Sequence, residues 1–279
     1  MKIVTLRLTG AFILTTIIIS CKKEHADPYS QKNNKPDLEV TETLPPVQTA
    51  VHYNLTSNCA GFYQALPARY DSTSKKYPLL IFLHGKGELG NGTTDLSNLL
   101  IAPIPRLINK KKFPPYFKSG KESYSFVVLS PQFKKTPSPE DVNTLIEYAK
   151  TNLRVDASRI YITGLSMGGG ATWDYAGKYA SKIAAIVPVC GASVSNKSKT
   201  EMIAKNNLPI WALHNNGDDR VSVNYTLGYI NALNASNMKP KPHKTIFPVS
   251  GHDAWTKAYD LAYKENNMNI YEWMLQYHR

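Results

Sequence analysis

Residues 159–172, RIYITGLSMGGGAT, constrain this chain more than any other stretch. Ile160, Tyr161, Ile162 and Thr163 are β-branched or aromatic and read as a short buried strand. Gly164-Leu165-Ser166-Met167-Gly168 then has the G-x-S-x-G spacing of a turn that holds a serine, under backbone strain, between a strand and a helix. Side chains two residues either side of that serine would collide, which explains the glycines. Gly168, Gly169 and Gly170 also let the next helix start close against a sheet, with its first amides near the serine. Alone, the pentapeptide fits any glycine-rich turn, so its context has to decide.

The rest of the chain supplies that context. Apart from the elbow strand, strands are expected at residues 61–66, 79–83, 125–129, 183–189, 210–213 and 245–249. The run 79–83 is apolar throughout, as in a parallel strand covered on both faces. Helices are expected at 139–152, 171–179, 223–235 and 269–277. In the first of these, Val142, Leu145, Ile146 and Ala149 recur at helical spacing behind Glu140 and Asp141. Repeated strand–helix alternation predicts an α/β fold, a mostly parallel sheet with helices on both faces. Ligands of such folds bind beyond the carboxyl ends of the strands.

The first 49 residues have a different character. Lys2 and Arg7 precede an apolar run at 11–19 that is too short to span a bilayer, and Ile18-Ile19-Ser20-Cys21 resembles a bacterial lipobox. Residues 1–20 are therefore expected to be a lipoprotein signal peptide and Cys21 the lipidated residue. Residues 21–49, rich in Lys, Asn, Pro, Asp and Glu, are expected to form a flexible tether. This places the protein at the cell envelope, meeting a membrane only through its lipid. Residues 50–279 suit one domain. Cys59 and Cys190 could be bridged or could be two buried thiols, and no cysteine pattern suggests a metal. The formal charge of +12 falls by two, to +10, when Lys2 and Arg7 leave with the signal. Basic residues are not interleaved with aromatics on one element, which argues against nucleic acid; a solvated basic surface, an anionic membrane or an acidic polysaccharide remain.

A serine needs a base to take its proton and an acid to fix the base's tautomer. Of the seven histidines, His84 and His214 close apolar strands, whereas His252 follows the last strand in a loop that could aim at the elbow. Asp218 and Asp219 both lie between Ser166 and His252, and spacing alone does not choose between them. An acyl-transfer oxyanion would need two fixed amides: that of Met167, and one from the loop His84-Gly85-Lys86-Gly87-Glu88, assigned to Lys86. That loop lacks the G-K-[ST] ending of a nucleotide-binding loop.

YPLLIFLHGKGELGN (77–91), SPQ (130–132), RIYITGLSMGG (159–169), PVCG (188–191), WALHNNGDDRV (211–221), GHDAWTKAY (251–259) and IYEWML (270–275) together resemble one family. It is the α/β-hydrolase group of predicted peptidases and polysaccharide esterases, related to dienelactone hydrolase, prolyl oligopeptidase and feruloyl esterases. The resemblance implies the α/β-hydrolase fold, a Ser166–His252–Asp218 triad, no cofactor and no metal. It places the acid four residues after the strand-ending histidine, on Asp218, and leaves Glu88, Gln132 and Trp255 as candidate substrate contacts. Asp156 and Arg159 read as a structural turn and ion pair. Lys86, Leu89, Asn215, Ser222 and Ala192-Ser193 depart from the family's usual residues, so substrate choice does not carry across. The expected activity is a serine esterase acting on acetyl or feruloyl esters of a polysaccharide or oligosaccharide. A peptidase or amidase on the same residues is the alternative, and an inactive glycan-binding lipoprotein a third.

Overall fold

The computed structural model describes residues 41–279. The expected signal peptide, the lipidation site Cys21 and tether residues 21–40 lie outside the described residues. Residues 41–49, read as the end of the tether, are partly built into the domain. Glu42 is buried and its carboxylate accepts the Arg69 amide, and β1 (Val47–Thr56) begins before residue 50.

β1 and β2 (Cys59–Leu66) form an antiparallel pair. After β3 (Tyr77–Leu83) come α1 (Pro103–Asn109), a hairpin of β4 (Phe117–Ser119) and β5 (Glu122–Tyr124), and β6 (Val127–Gln132). Helix α2 (Pro139–Asn152), β7 (Val155–Leu165), α3 (Met167–Tyr179) and β8 (Ala185–Val189) form the middle of the chain. Then follow α4 (Lys197–Lys205), β9 (Trp211–Gly217), α5 (Asn224–Asn234), β10 (His243–Ser250), α6 (Ala254–Ala258) and α7 (Ile270–Met274). The eight-stranded sheet runs β1-β2-β6-β3-β7-β8-β9-β10. All its pairs are parallel except β1 with β2 and β2 with β6. This is the α/β-hydrolase fold.

Alternation along β3 explains its unbroken apolar run. Leu79, Ile81 and Leu83 face one core with residues of α2, α3 and α5. Leu80 and Phe82 face the other, with residues of α1, α6 and α7. Both faces are covered, so no position in the strand has to be polar. Helix α2 has the expected bounds because a capping box marks its start: Ser138 Oγ accepts the Asp141 amide while Asp141 accepts the Ser138 amide. Cys59 and Cys190 are free, buried thiols, which burial pushes up to about 11 and about 12. Arg159 lies 3.6 Å from Asp156 and also donates to Leu275 O at 3.0 Å, tying β7 to the end of α7.

Candidate active site

Ser166 sits between β7 and α3 at φ 53° and ψ −114°, a conformation that L-residues avoid. Three backbone bonds hold it there: its N–H donates to Val189 O, and its carbonyl accepts the amides of Gly170 and Ala192. The glycines are a steric requirement. A Cβ on Gly168 would lie 2.1 Å from Leu83 O, and one on Gly164 would lie 2.5 Å from Gly168 O.

The loops after β9 and β10 bring the other two groups to the serine. Ser166 Oγ donates to His252 Nε2 at 2.8 Å, and His252 Nδ1 donates to Asp218 Oδ2 at 2.6 Å. The Asp218 side chain is fully enclosed, and its Oδ1 accepts the amides of Arg220 and Val221, each at 2.9 Å. Burial would raise this carboxyl, but the hydrogen bonds from Val221, His252 and Arg220 outweigh it and hold it below the usual carboxylate range. Asp219 is exposed.

Met167 opens α3, and Lys86 opens a short 3-10 turn, Lys86–Glu88. An amide at the head of a helix has no acceptor within it, so both N–H groups are available to an oxyanion. The two backbones lie close, since a Cβ on Gly168 would also lie 2.6 Å from His84 O. Met167, Lys86, Glu88, Trp255, Ser166 and His252 line one cleft of about 890 Å³. Trp255 meets the His252 ring edge to face, with centroids 5.0 Å apart. Glu88 is half-buried, and its Oε2 has no hydrogen-bond partner among the described residues. Burial raises its pKa, against the lowering effect of the Gly85 and Glu88 amides.

Gln132 is corrected: it is fully buried and cannot touch a substrate. Its amide donates to Glu88 O and Asp95 O and accepts the Gly92 amide, so it ties the loop after β3 to β6. Donor atoms of Cys190, Asp218 and His252 lie within 4.8 Å of one another. The chemistry does not suit a metal, because burial keeps the Cys190 thiol protonated and the other two are committed to each other.

Three residues that shape the site were not singled out as site residues from the sequence. His84 is buried, donates from Nδ1 to Gly85 O at 2.7 Å and accepts the Phe133 amide on Nε2 at 3.1 Å. It therefore holds the loop carrying Lys86 as a neutral ring. His214 donates to Val221 O at 2.9 Å and lies 3.3 Å from Asp218 Oδ2. Asn215 donates to Gly251 O at 2.8 Å, next to His252. The available signal was a histidine directly after an apolar strand, twice over.

Burial lowers the His84 pKa from 6.5 to about 4. An unfolded chain takes up this proton near pH 6.5 and the folded one only near pH 4. Stability from the neutral ring is therefore complete above pH 6.5 and is lost as pH falls through that interval, by on the order of 3 kcal/mol. Urea unfolding at pH 7 and pH 4.5 should show a smaller loss in His84→Gln than in the native protein. Equal losses would contradict the neutral-ring role.

The sequence pattern of the phospholipase/carboxylesterase family matches residues 70–268, which include Ser166, Asp218 and His252. The chain belongs to this family. Within this phospholipase/carboxylesterase-family chain, 131 residues are 28% identical to a bifunctional acetylxylan esterase/xylanase of Neocallimastix patriciarum, covering 44% of this chain and 19% of that protein. The chain thus spans about a fifth of that relative's length. The structure of a thermostable esterase matches with TM-score 0.57 and 23% identity, over 84% of this chain and 63% of that one. The feruloyl esterase module from Clostridium thermocellum, complexed with sinapinate, matches with TM-score 0.53 and 17% identity, over 78% and 86%. Both structural likenesses concern the fold.

Proposed function

We propose that this protein is a serine hydrolase of carboxylic esters that removes acetyl or feruloyl groups from a polysaccharide. The observation that carries the reading is the unbroken hydrogen-bond chain from Asp218 through His252 to Ser166 on the strained elbow. His252 Nε2 takes the Oγ proton as Ser166 attacks the acyl carbon, and the amides of Met167 and Lys86 receive the oxyanion. As the tetrahedral intermediate collapses, the C–O bond to the alcohol breaks and His252 returns the proton to that oxygen, leaving an acyl-serine. Water, deprotonated by His252, attacks the acyl carbon and releases the acid. Asp218 keeps the ring in the productive tautomer throughout.

The choice of substrate draws on two observations. The relative is named an acetylxylan esterase/xylanase. Trp255 offers an aromatic surface beside the base, suited to a sugar ring or an aryl acyl group. The test compares kcat/KM on acetylated xylo-oligosaccharide, methyl ferulate, a long-chain triglyceride and chromogenic peptide amides. One of the first two should exceed the last two by about 100-fold or more, a discrimination within the reach of pocket contacts. Preference for amides would make the protein a peptidase, and preference for triglyceride a lipase.

The same reading anchors the protein at the cell envelope through a lipid on Cys21. A fatty-acid analogue fed to cells should label the native protein and fail to label Cys21→Ser. An unlabelled native protein would refute the anchor.

A further inference from the structure

Four cationic side chains, Lys86, Lys134, Lys135 and Arg220, are exposed and line the same cleft as Ser166. Among the described residues none of the four takes part in an ion pair, whereas Lys150, Lys178, Lys197 and Lys264 each have a glutamate. The acidic groups of the cleft do not balance them. Asp174 is matched by Lys199 Nζ at 2.6 Å and accepts Ser193 Oγ at 2.7 Å. Glu88 is half-buried, where burial favours its neutral form.

Two of these cations sit on a loop that is held in place. Asn58, 3% exposed, accepts the Lys134 amide on its carbonyl and the Lys135 amide on Oδ1, each at 3.0 Å. Its Nδ2 donates to Lys135 O at 3.2 Å and to Asp141 Oδ2 at 3.0 Å. Lys134 Nζ also donates to Ser57 O at 3.0 Å, which fixes its direction.

Sheet order sets where the charges stand. β6, which precedes Lys134, lies two strands from β7 on one side, and β9, which precedes Arg220, lies two strands away on the other. At about 4.8 Å per strand, a chain laid across Ser166 would meet positive charge about 10 Å to either side. Acyl transfer between Ser166 and a neutral ester uses none of this charge, and leaving the cations beside a bound neutral sugar gains nothing. Solvated lysines explain single charges, but a pair clamped by a buried asparagine beside the nucleophile calls for a ligand.

We propose that the cleft takes esters carried on an acidic glycan, whose uronate carboxylates seat against Lys134 and Lys135 on one flank and Arg220 on the other. This rests on the glycan-esterase reading above and adds the charge of its substrate. The test uses the full chain and two matched substrates, an acetylated xylo-oligosaccharide with and without a glucuronate branch. In about 20 mM salt, kcat/KM should be about tenfold higher for the branched ester, within the range that focused charge confers. In about 500 mM salt the ratio should fall below about twofold, because screening then acts within a few ångströms. The Lys134→Gln/Lys135→Gln double variant should bring the ratio close to one at low salt, and Lys134→Arg/Lys135→Arg should restore it. A ratio of one in the native protein, with the neutral ester still cleaved, overturns the acidic-glycan proposal and leaves the esterase reading intact. Cleavage of neither ester, nor of the same pair carrying feruloyl groups, defeats both. A ratio of one together with lysine-dependent binding to phosphatidylglycerol vesicles assigns the cations to a membrane and also overturns it.

Discussion

Ser166→Ala and His252→Ala are each expected to lower turnover of a cleaved ester by about 10⁴-fold or more, with the fold intact. Both substitutions remove atoms from one proton path, Oγ to Nε2 at 2.8 Å, so the double variant should be little worse than either single one. Asp218→Asn should cost far more than Asp219→Asn. An amide at 218 can donate toward His252 Nδ1 and favour the wrong tautomer, and it keeps neither the charge nor the pairing at 2.6 Å. Asp219 is exposed, and its loss should be felt little. Steady-state kinetics on the five variants, with circular dichroism to confirm folding, measures this. Equal losses from the two aspartates would remove Asp218 from its assigned place.

Gly168→Ala is expected to be among the most damaging single methyls in the described residues. The added carbon would lie 2.1 Å from Leu83 O and 2.6 Å from His84 O, both backbone atoms at the end of β3. Neither can swing aside as a side-chain tip would. Either α3 withdraws, taking Met167 and the elbow with it, or β3 shifts against both cores. Overpacking of this kind costs typically 1–3 kcal/mol, and more where only backbone can yield. For a domain of this size that is a fall in Tm of roughly 10 °C. Gly87→Ala is the control, since a Cβ there meets nothing within 4 Å. Thermal melts of the two variants should separate clearly, and a Gly168→Ala protein as stable as Gly87→Ala would refute the close-contact account.

What could be read from the sequence follows from how local each signal is. β3 was legible because a strand covered on both faces has no polar position, and α2 because its apolar stripe and its two first-turn acids lie in fourteen consecutive residues. β1 was not, since it is an edge strand with a mostly exposed surface and no alternation to betray it. Helices α1 and α4 are short and went unread. α1 opens on Pro103 and α4 is capped by Asn196. At the site, the elbow announces itself because its glycines answer a local steric demand. Asp218 and Asp219 are neighbours on one loop, so only the folded positions of Arg220, Val221 and His252 distinguish them. Gln132 stands as a candidate contact only through the family resemblance, in the SPQ run that ends β6. The loop at Glu88, Gly92 and Asp95 folds over it and consumes its hydrogen bonds, a long-range event that no local pattern encodes. The clamp of Asn58 on Lys134 and Lys135 was hidden for the same reason.

The central claim is that Ser166 is an activated nucleophile, and labelling with a fluorophosphonate tests it most directly. The reagent reacts with a serine whose proton is being taken by a base, and it requires no knowledge of the acyl group or the glycan. Treated full-length protein, analysed by mass spectrometry of its peptides, should carry one adduct, on Ser166, formed much more slowly in His252→Ala. A folded protein that stays unlabelled, or that is labelled on a different serine, would contradict the account.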